Sequence, residues 1–138
     1  MFFHCGTLKN IDGLKYFNTD WKDNCSYMFE GCCSLKNLDA LKNWDVSNCT
    51  NFCHMFRRCC SLYDINGLEK WDVSNGISFE GMFSGCNSLK NLMALSAWNV
   101  FKGKNFSFMF FCTSLTHLFY LENWDVLNGY CFEEMFYE

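Results

Sequence analysis

Cysteine and histidine are the side chains in this sequence with the reach to do chemistry. There are eleven Cys and three His in 138 residues. Cys49-x-x-x-Cys53-His54, followed by Cys59 and Cys60, is the cluster whose residue types suit a metal ion. It lacks the paired C-x-x-C spacing of a zinc site, so the sequence predicts no metal and no cofactor. Cys5, Cys32, Cys59, Cys86 and Cys112 recur at one place in a repeat, and a small buried thiol packs well there. Cys32-Cys33 and Cys59-Cys60 add a second, shorter column, while Cys25, Cys49, Cys53 and Cys131 are scattered. The odd count and the lack of distinct pairs speak against a secreted disulfide framework. His4, His54 and His117 fall in three different columns, so they build no repeated site and read as solvent-facing or loop residues. Asp45, Asp72 and Asp125 line one edge, but the glycine-rich carboxylate pattern of a calcium-binding β-roll is missing. An Asp capping its own turn explains that column. No Ser-His-Asp set, Cys-His pair, P-loop or dinucleotide fingerprint assembles with supporting context, so no catalytic residue and no enzyme activity is expected.

What positions these residues is a period. Met-Phe recurs at Met1, Met28, Met55, Met82, Met109 and Met135, at steps of 27, 27, 27, 27 and 26 residues. A fixed period in this range predicts units laid one on another, none able to bury its apolar face alone. After the Cys column come three columns of Leu or Ile, in the second unit Leu35, Leu38 and Leu41. An aromatic column follows at Phe17, Trp44, Trp71, Trp98 and Trp124, and Val46, Val73, Val100 and Val126 form another. A last column holds Phe52, Phe79, Phe106 and Phe132, with Cys25 in its place in the first unit. The fifth unit, Met109-Phe110-Phe111-Cys112, is one residue shorter than Met82-Phe83-Ser84-Gly85-Cys86. The sequence places that deletion in a loop at the Ser-Gly position.

The spacing predicts one short strand at Leu35 to Leu38 and its equivalents, and a turn at Asp45 to Asn48 and Asp72 to Asn75. Phe, Met, Phe and Cys at offsets 0, 3, 4 and 7 from Phe52 to Cys59, and from Phe79 to Cys86, predict a helix of about two turns. The expected fold is therefore an α/β solenoid, a leucine-rich-repeat-like right-handed stack of about five turns, each with a short parallel strand and a short helix. It forms a single array over 1-138, with turns at 1-27, 28-54, 55-81, 82-108 and 109-134 and a partial turn at 135-138. No terminal caps are expected, which exposes both ends to end-to-end self-association.

With 50% apolar and 20% aromatic residues, the composition is ample for a core. A net charge of -4 argues against a nucleic-acid backbone as the main partner. No apolar run approaches the roughly 20 residues of a membrane helix. The start, Met1-Phe2-Phe3-His4-Cys5, reads as the middle of a repeat and has no signal-peptide pattern.

The unit M-F-x-G-C-x-S-L-x-x-L-x-x-L-x-x-W-D-V-S-N, complete at Met28 to Asn48 and nearly so at Met55 to Asn75, resembles the repeat of BspA-type leucine-rich-repeat surface proteins, first noted in mycoplasma lipoproteins. The resemblance covers essentially the whole chain. It implies a leucine-rich-repeat-like fold, adhesion or binding at a cell surface, and no catalytic residues. The first unit departs from it at Asn18-Thr19-Asp20-Trp21, and the fourth at Asn99-Val100-Phe101-Lys102. A cell-surface location follows from the resemblance, whereas the free cysteines and the missing signal peptide point to the cytoplasm.

Between the Leu columns, outward-facing residues form rows on the strand side. One is Lys9, Lys36, Tyr63, Lys90 and Thr116; beside it run Asn10, Asn37, Asp64, Asn91 and His117. A third, Asp12, Asp39, Asn66, Met93 and Phe119, drifts from acidic to apolar. These rows are the expected binding surface, for another protein of host or other origin, in an adhesion or interaction module. The alternatives are a structural or decaying repeat fragment with no ligand of its own, and an intracellular protein-binding scaffold of a large virus or protist.

Overall fold

Tight turns, rather than strands and helices, carry the chain of this protein. The computed structural model describes residues 1–17 and 23–137; the irregular stretch Asn18-Thr19-Asp20-Trp21 lies outside them. The helical elements among the described residues are five single turns of 3₁₀ helix, Asp12–Leu14, Asp39–Leu41, Asn66–Leu68, Met93–Leu95 and Phe119–Leu121. Among the described residues strand pairing is confined to isolated parallel bridges. Four run in one column, Asn24 to Asn51 to Ser78 to Asn105 to Cys131, and a fifth joins Asn37 to Asp64.

The expected α/β leucine-rich-repeat-like solenoid is thereby corrected: this is a small, cysteine-rich fold made mostly of loops, with neither a sheet nor an α-helix among the described residues. The segment from Phe52 to Cys59 shows why. His54 and Arg58 have φ of 55° and 58°, in the left-handed region that ends a right-handed helix. Two successive turns result, closed by Met55 N–H to the Phe52 carbonyl at 3.2 Å and Cys59 N–H to the Phe56 carbonyl at 3.1 Å. Of the intervening amides, two are spent on the next unit, Phe56 N–H reaching the Met82 carbonyl at 3.0 Å and Arg58 N–H the Ser84 carbonyl at 2.7 Å, while Arg57 N–H turns back to the His54 carbonyl at 3.2 Å. Apolar offsets of 0, 3, 4 and 7 thus arise from a pair of turns as readily as from a helix. At the expected strand, Leu35 N–H closes a turn on the Cys32 carbonyl at 3.0 Å. Asn37 alone bridges to the following unit.

Asparagine and aspartate do the turning. Asn51 Oδ1 accepts the N–H of Cys53 at 2.9 Å, Asp64 Oδ1 that of Asn66 at 2.8 Å, and Asp72 Oδ1 that of Ser74 at 3.0 Å. Each is a side chain mimicking a backbone turn, and up to three per unit, as at Asn37, Asp45 and Asn51 of the second, fold the chain back often enough to forbid any long regular element.

The core is a set of ring and side-chain columns. Phe2, Phe29, Phe56, Phe83, Phe110 and Phe136 lie face to face with centroids 5.4 to 5.9 Å apart. Phe52, Phe79, Phe106 and Phe132 form a second stack at 5.4 Å. Trp44, Trp71 and Trp98 are buried and Trp124 is half-buried. Each indole N–H donates to a leucine carbonyl of the preceding unit: Leu14, Leu41, Leu68 and Leu95, at 2.9 to 3.1 Å. An indole buried this way has its polar atom satisfied.

The short fifth unit is accommodated elsewhere than the Ser-Gly loop. Gly85 N–H bonds the Phe111 carbonyl and Cys112 N–H bonds the Tyr137 carbonyl, which puts Cys112 in the place of Gly85, at φ 53°. Thr113 then fills the buried slot that Cys32, Cys59 and Cys86 occupy in earlier units. Ser114 regains register, its hydroxyl on the Asn87 carbonyl as Ser88 is on that of Cys60. The backbone bonds of the Met-Phe segment are too regular to skip a residue, so the gap moves into the next turn.

Candidate functional site

Two faces present side chains with chemistry. On the leucine side, Lys9, Lys36, Tyr63, Lys90 and Thr116 are all exposed. Tyr63 N–H and Asp64 N–H both bond the Lys36 carbonyl, at 3.1 and 3.3 Å, which sets Lys36 and Tyr63 side by side. The row beside it is partly occupied by the fold itself. Asn37, Asp64 and Asn91 each turn Oδ1 onto the N–H two residues on, at 3.4, 2.8 and 2.8 Å, where the 3₁₀ helix begins. His117 is exposed, with Nε2 3.2 Å from the Thr116 hydroxyl. A shallow groove is lined by Tyr63, Asp64, Ile65, Asn66 and Asn91.

The cysteine ladder is chemically quiet. Cys32, Cys59 and Cys86 are buried, with their thiols on the carbonyls of Phe2, Phe29 and Phe56 at 3.2 Å. Burial pushes all three thiols up, Cys32 to about 11 and the other two further, so they stay protonated and unreactive. Cys5 is exposed, and Cys112 is half-buried in its own distinct slot. Cys25 and Cys49, which stand in the Phe and Gly columns, are joined by a disulfide, and the other nine cysteines are free.

The Met-Phe side holds a tighter constellation. Cys53 Sγ, a His54 ring nitrogen and a Glu80 carboxylate oxygen all lie within 4.8 Å of one another. Cys53 and Glu80 share a column in neighbouring units, both two residues before Met. The backbone fixes them: Tyr27 N–H bonds the Cys53 carbonyl at 3.0 Å and His54 N–H bonds the Glu80 carbonyl at 2.8 Å. Tyr27 tilts against the His54 ring at 5.2 Å, and Asn105 Nδ2 donates to Glu80 Oε2 at 3.0 Å. Close by, Arg57 pairs with the buried Glu30 at 3.2 Å. Burial, with the Glu80 charge behind it, pushes the Cys53 thiol up to about 11. Of the cysteine-histidine set picked out in the sequence, only Cys53 and His54 meet. Cys49 is spent in the disulfide, Cys59 is in the core, and Cys60 lies 3.9 Å from Cys33.

The family model described as Mycoplasma protein of unknown function, DUF285, matches residues 1–68 and 23–138. The chain belongs to the DUF285 family. No curated protein and no solved structure matches it. The DUF285 match spans both faces and is a match to a repeat family; no helix among the described residues is long and apolar enough to cross a membrane. In this DUF285 chain, Glu80 is the residue that sequence reasoning missed. Its signal was present, since Glu80 stands one unit after Cys53 in the same column, but only the parallel register makes that spacing a contact.

Proposed function

We propose that this chain is a protein-binding module of a BspA-type repeat-containing surface protein, that it has no catalytic activity of its own, and that it binds through the leucine-side rows. The reading rests on one observation. Lys36, Tyr63 and Lys90 stand exposed in adjacent units, and among the described residues their side chains make no hydrogen bond or ion pair. An aromatic side chain on a backbone of fixed register is the kind of surface a protein partner can use, because Tyr supplies rigid contact area, and the flanking lysines add positive charge that steers an acidic partner toward it. The family match supports a repeat-containing module, and the resemblance of the W-D-V-S-N unit supports the surface setting.

The test is a pull-down with the purified chain against immobilised surface and host proteins, with a second protein carrying Lys36→Ala, Tyr63→Ala and Lys90→Ala together. A partner retained by the first and lost by the second is expected. A folded chain that binds nothing would move the ligand-free structural reading ahead, which the self-satisfied Asn37, Asp64 and Asn91 already favour for their row.

A further inference from the structure

We propose that Cys53, His54 and Glu80 form a binding site for a divalent transition-metal ion, zinc by its ligand chemistry, which ties the second repeat unit to the third. The three donor atoms lie within 4.8 Å of one another, and His54 Nε2 is 3.9 Å from Glu80 Oε1. In a tetrahedral site with metal–nitrogen and metal–oxygen bonds of about 2.1 Å and metal–sulfur bonds of about 2.3 Å, donor atoms stand roughly 3.3 to 3.7 Å apart. Closing the difference takes a movement of about 1 Å at the side-chain tips and none of the backbone.

Three features of the surroundings point to a ligand. His54 Nδ1 is buried with no hydrogen-bond partner, and Nε2 is too far from Glu80 to be bonded to it, so the ring is short of polar contacts on both sides. An ion between His54 and Glu80 gives Nε2 the partner that Glu80 is too far away to be, while Nδ1 stays packed over Gly81. Gly81 makes room for the ring, since a Cβ there would come within 2.2 Å of Nδ1. All three donors are half-buried, which leaves solvent a route in and water the fourth position. Glu80 is already oriented by Asn105 through its other oxygen, as ligating carboxylates commonly are.

The donor set selects the ion. One thiol, one imidazole and one carboxylate suit zinc, whereas calcium and magnesium want oxygen alone. The corresponding pairs in other units are Ser26 with Tyr27, Glu80 with Gly81, Ser107 with Phe108, and Glu133 with Glu134. None offers both a thiol and an imidazole, so one ion per chain is expected.

The proposal is independent of any protein partner and is tested on the purified chain alone. The reduced, chelator-treated protein is titrated with Co²⁺, followed by the visible absorption of a tetrahedral site and the near-ultraviolet band of a thiolate ligand, then displaced with Zn²⁺. One equivalent is expected to bind. Cys53→Ser is expected to abolish the thiolate band, and Glu80→Gln, which keeps the side-chain shape, to weaken binding at least tenfold while tryptophan emission stays that of the folded chain. Cys33→Ser with Cys60→Ser is expected to leave the spectrum unchanged. Absence of a tetrahedral spectrum overturns the proposal. So does a spectrum that survives both Cys53→Ser and Glu80→Gln, or one that disappears with the Cys33 and Cys60 pair.

Discussion

The Met-Phe side and the leucine side are built from the same repeat yet are held together differently. On the Met-Phe side each unit gives the next a series of backbone bonds, such as Phe29 N–H to Met55 at 2.9 Å, Gly31 N–H to Arg57 at 2.8 Å and Cys25 N–H to Asn51 at 2.9 Å. On the leucine side such bonds are sparse among the described residues, where one bridge, Asn37 to Asp64, is joined by Ser61 N–H on the Cys33 carbonyl at 3.2 Å. Cohesion there comes from buried leucines and from indole N–H groups reaching back to the preceding unit. Register is therefore set by main chain on one side and by side-chain shape on the other. At its exposed positions the first tolerates any residue that can adopt the turn, while the buried columns on both sides tolerate little change of volume.

The sharpest way to break this comparison is to delete one ring. Phe56 is fully buried and stacked at 5.5 and 5.7 Å on Phe29 and Phe83, so Phe56→Ala is expected to cost about 3 to 5 kcal/mol by urea unfolding. Leu38→Ala, on the leucine side, is expected to cost about 2 to 5 kcal/mol by the same measure; a near-neutral result there would mean that the leucine columns do not hold that side. Next comes Trp71→Phe, which keeps one aromatic ring in the column but trims its bulk and strips the Leu41 carbonyl of its 2.9 Å donor. It is expected to cost about 1 to 3 kcal/mol. No change in unfolding midpoint would show that water replaces the indole and that the tie is dispensable.

The smallest effect is a pH dependence. Hydrogen bonds from Ser74, its hydroxyl first and its N–H second, hold the Asp72 carboxyl below its usual value. A carboxylate whose pKa is depressed on folding adds stability above its unfolded pKa, near 4, and loses it as pH falls through the lower folded value. Acidification through that window is expected to lower the unfolding midpoint slightly. Asp72→Asn is expected to flatten that part of the profile, since the amide oxygen accepts the same bond without titrating. An unchanged profile would separate this turn from the acid response.

Legibility in the sequence follows the same division. The period and the positions that recur were readable, because identical residues at 27-residue steps end up side by side, as Phe56 and Phe83 do. The backbone between them was not. Spacing of apolar residues reports which side chains face inward and is silent on the dihedrals that bring them there. A histidine at φ 55° and an arginine at φ 58° carry no local signature. For the same reason the Cys53, His54 and Glu80 cluster was half visible. Two of its members are adjacent in sequence, while the third is a neighbour only across units.

One detail of the Met-Phe side bears on how such a chain can grow. At the position three residues after Met, the units carry His4, Gly31, Arg58, Gly85 and Cys112 in turn. The His4 ring occupies the space a Gly31 side chain would need, while over Gly85 the nearest Arg58 atom stands at ordinary contact distance, 3.4 Å from where a Cβ would be. Bulk and vacancy alternate, so the spatial grammar of this column is two units long even though its alphabet repeats every 27 residues. Copying the first unit alone sets bulk beside bulk, where His4 now lies over Gly31, whereas copying a pair preserves the alternation. Lengthening by even numbers is the route that leaves this column undisturbed.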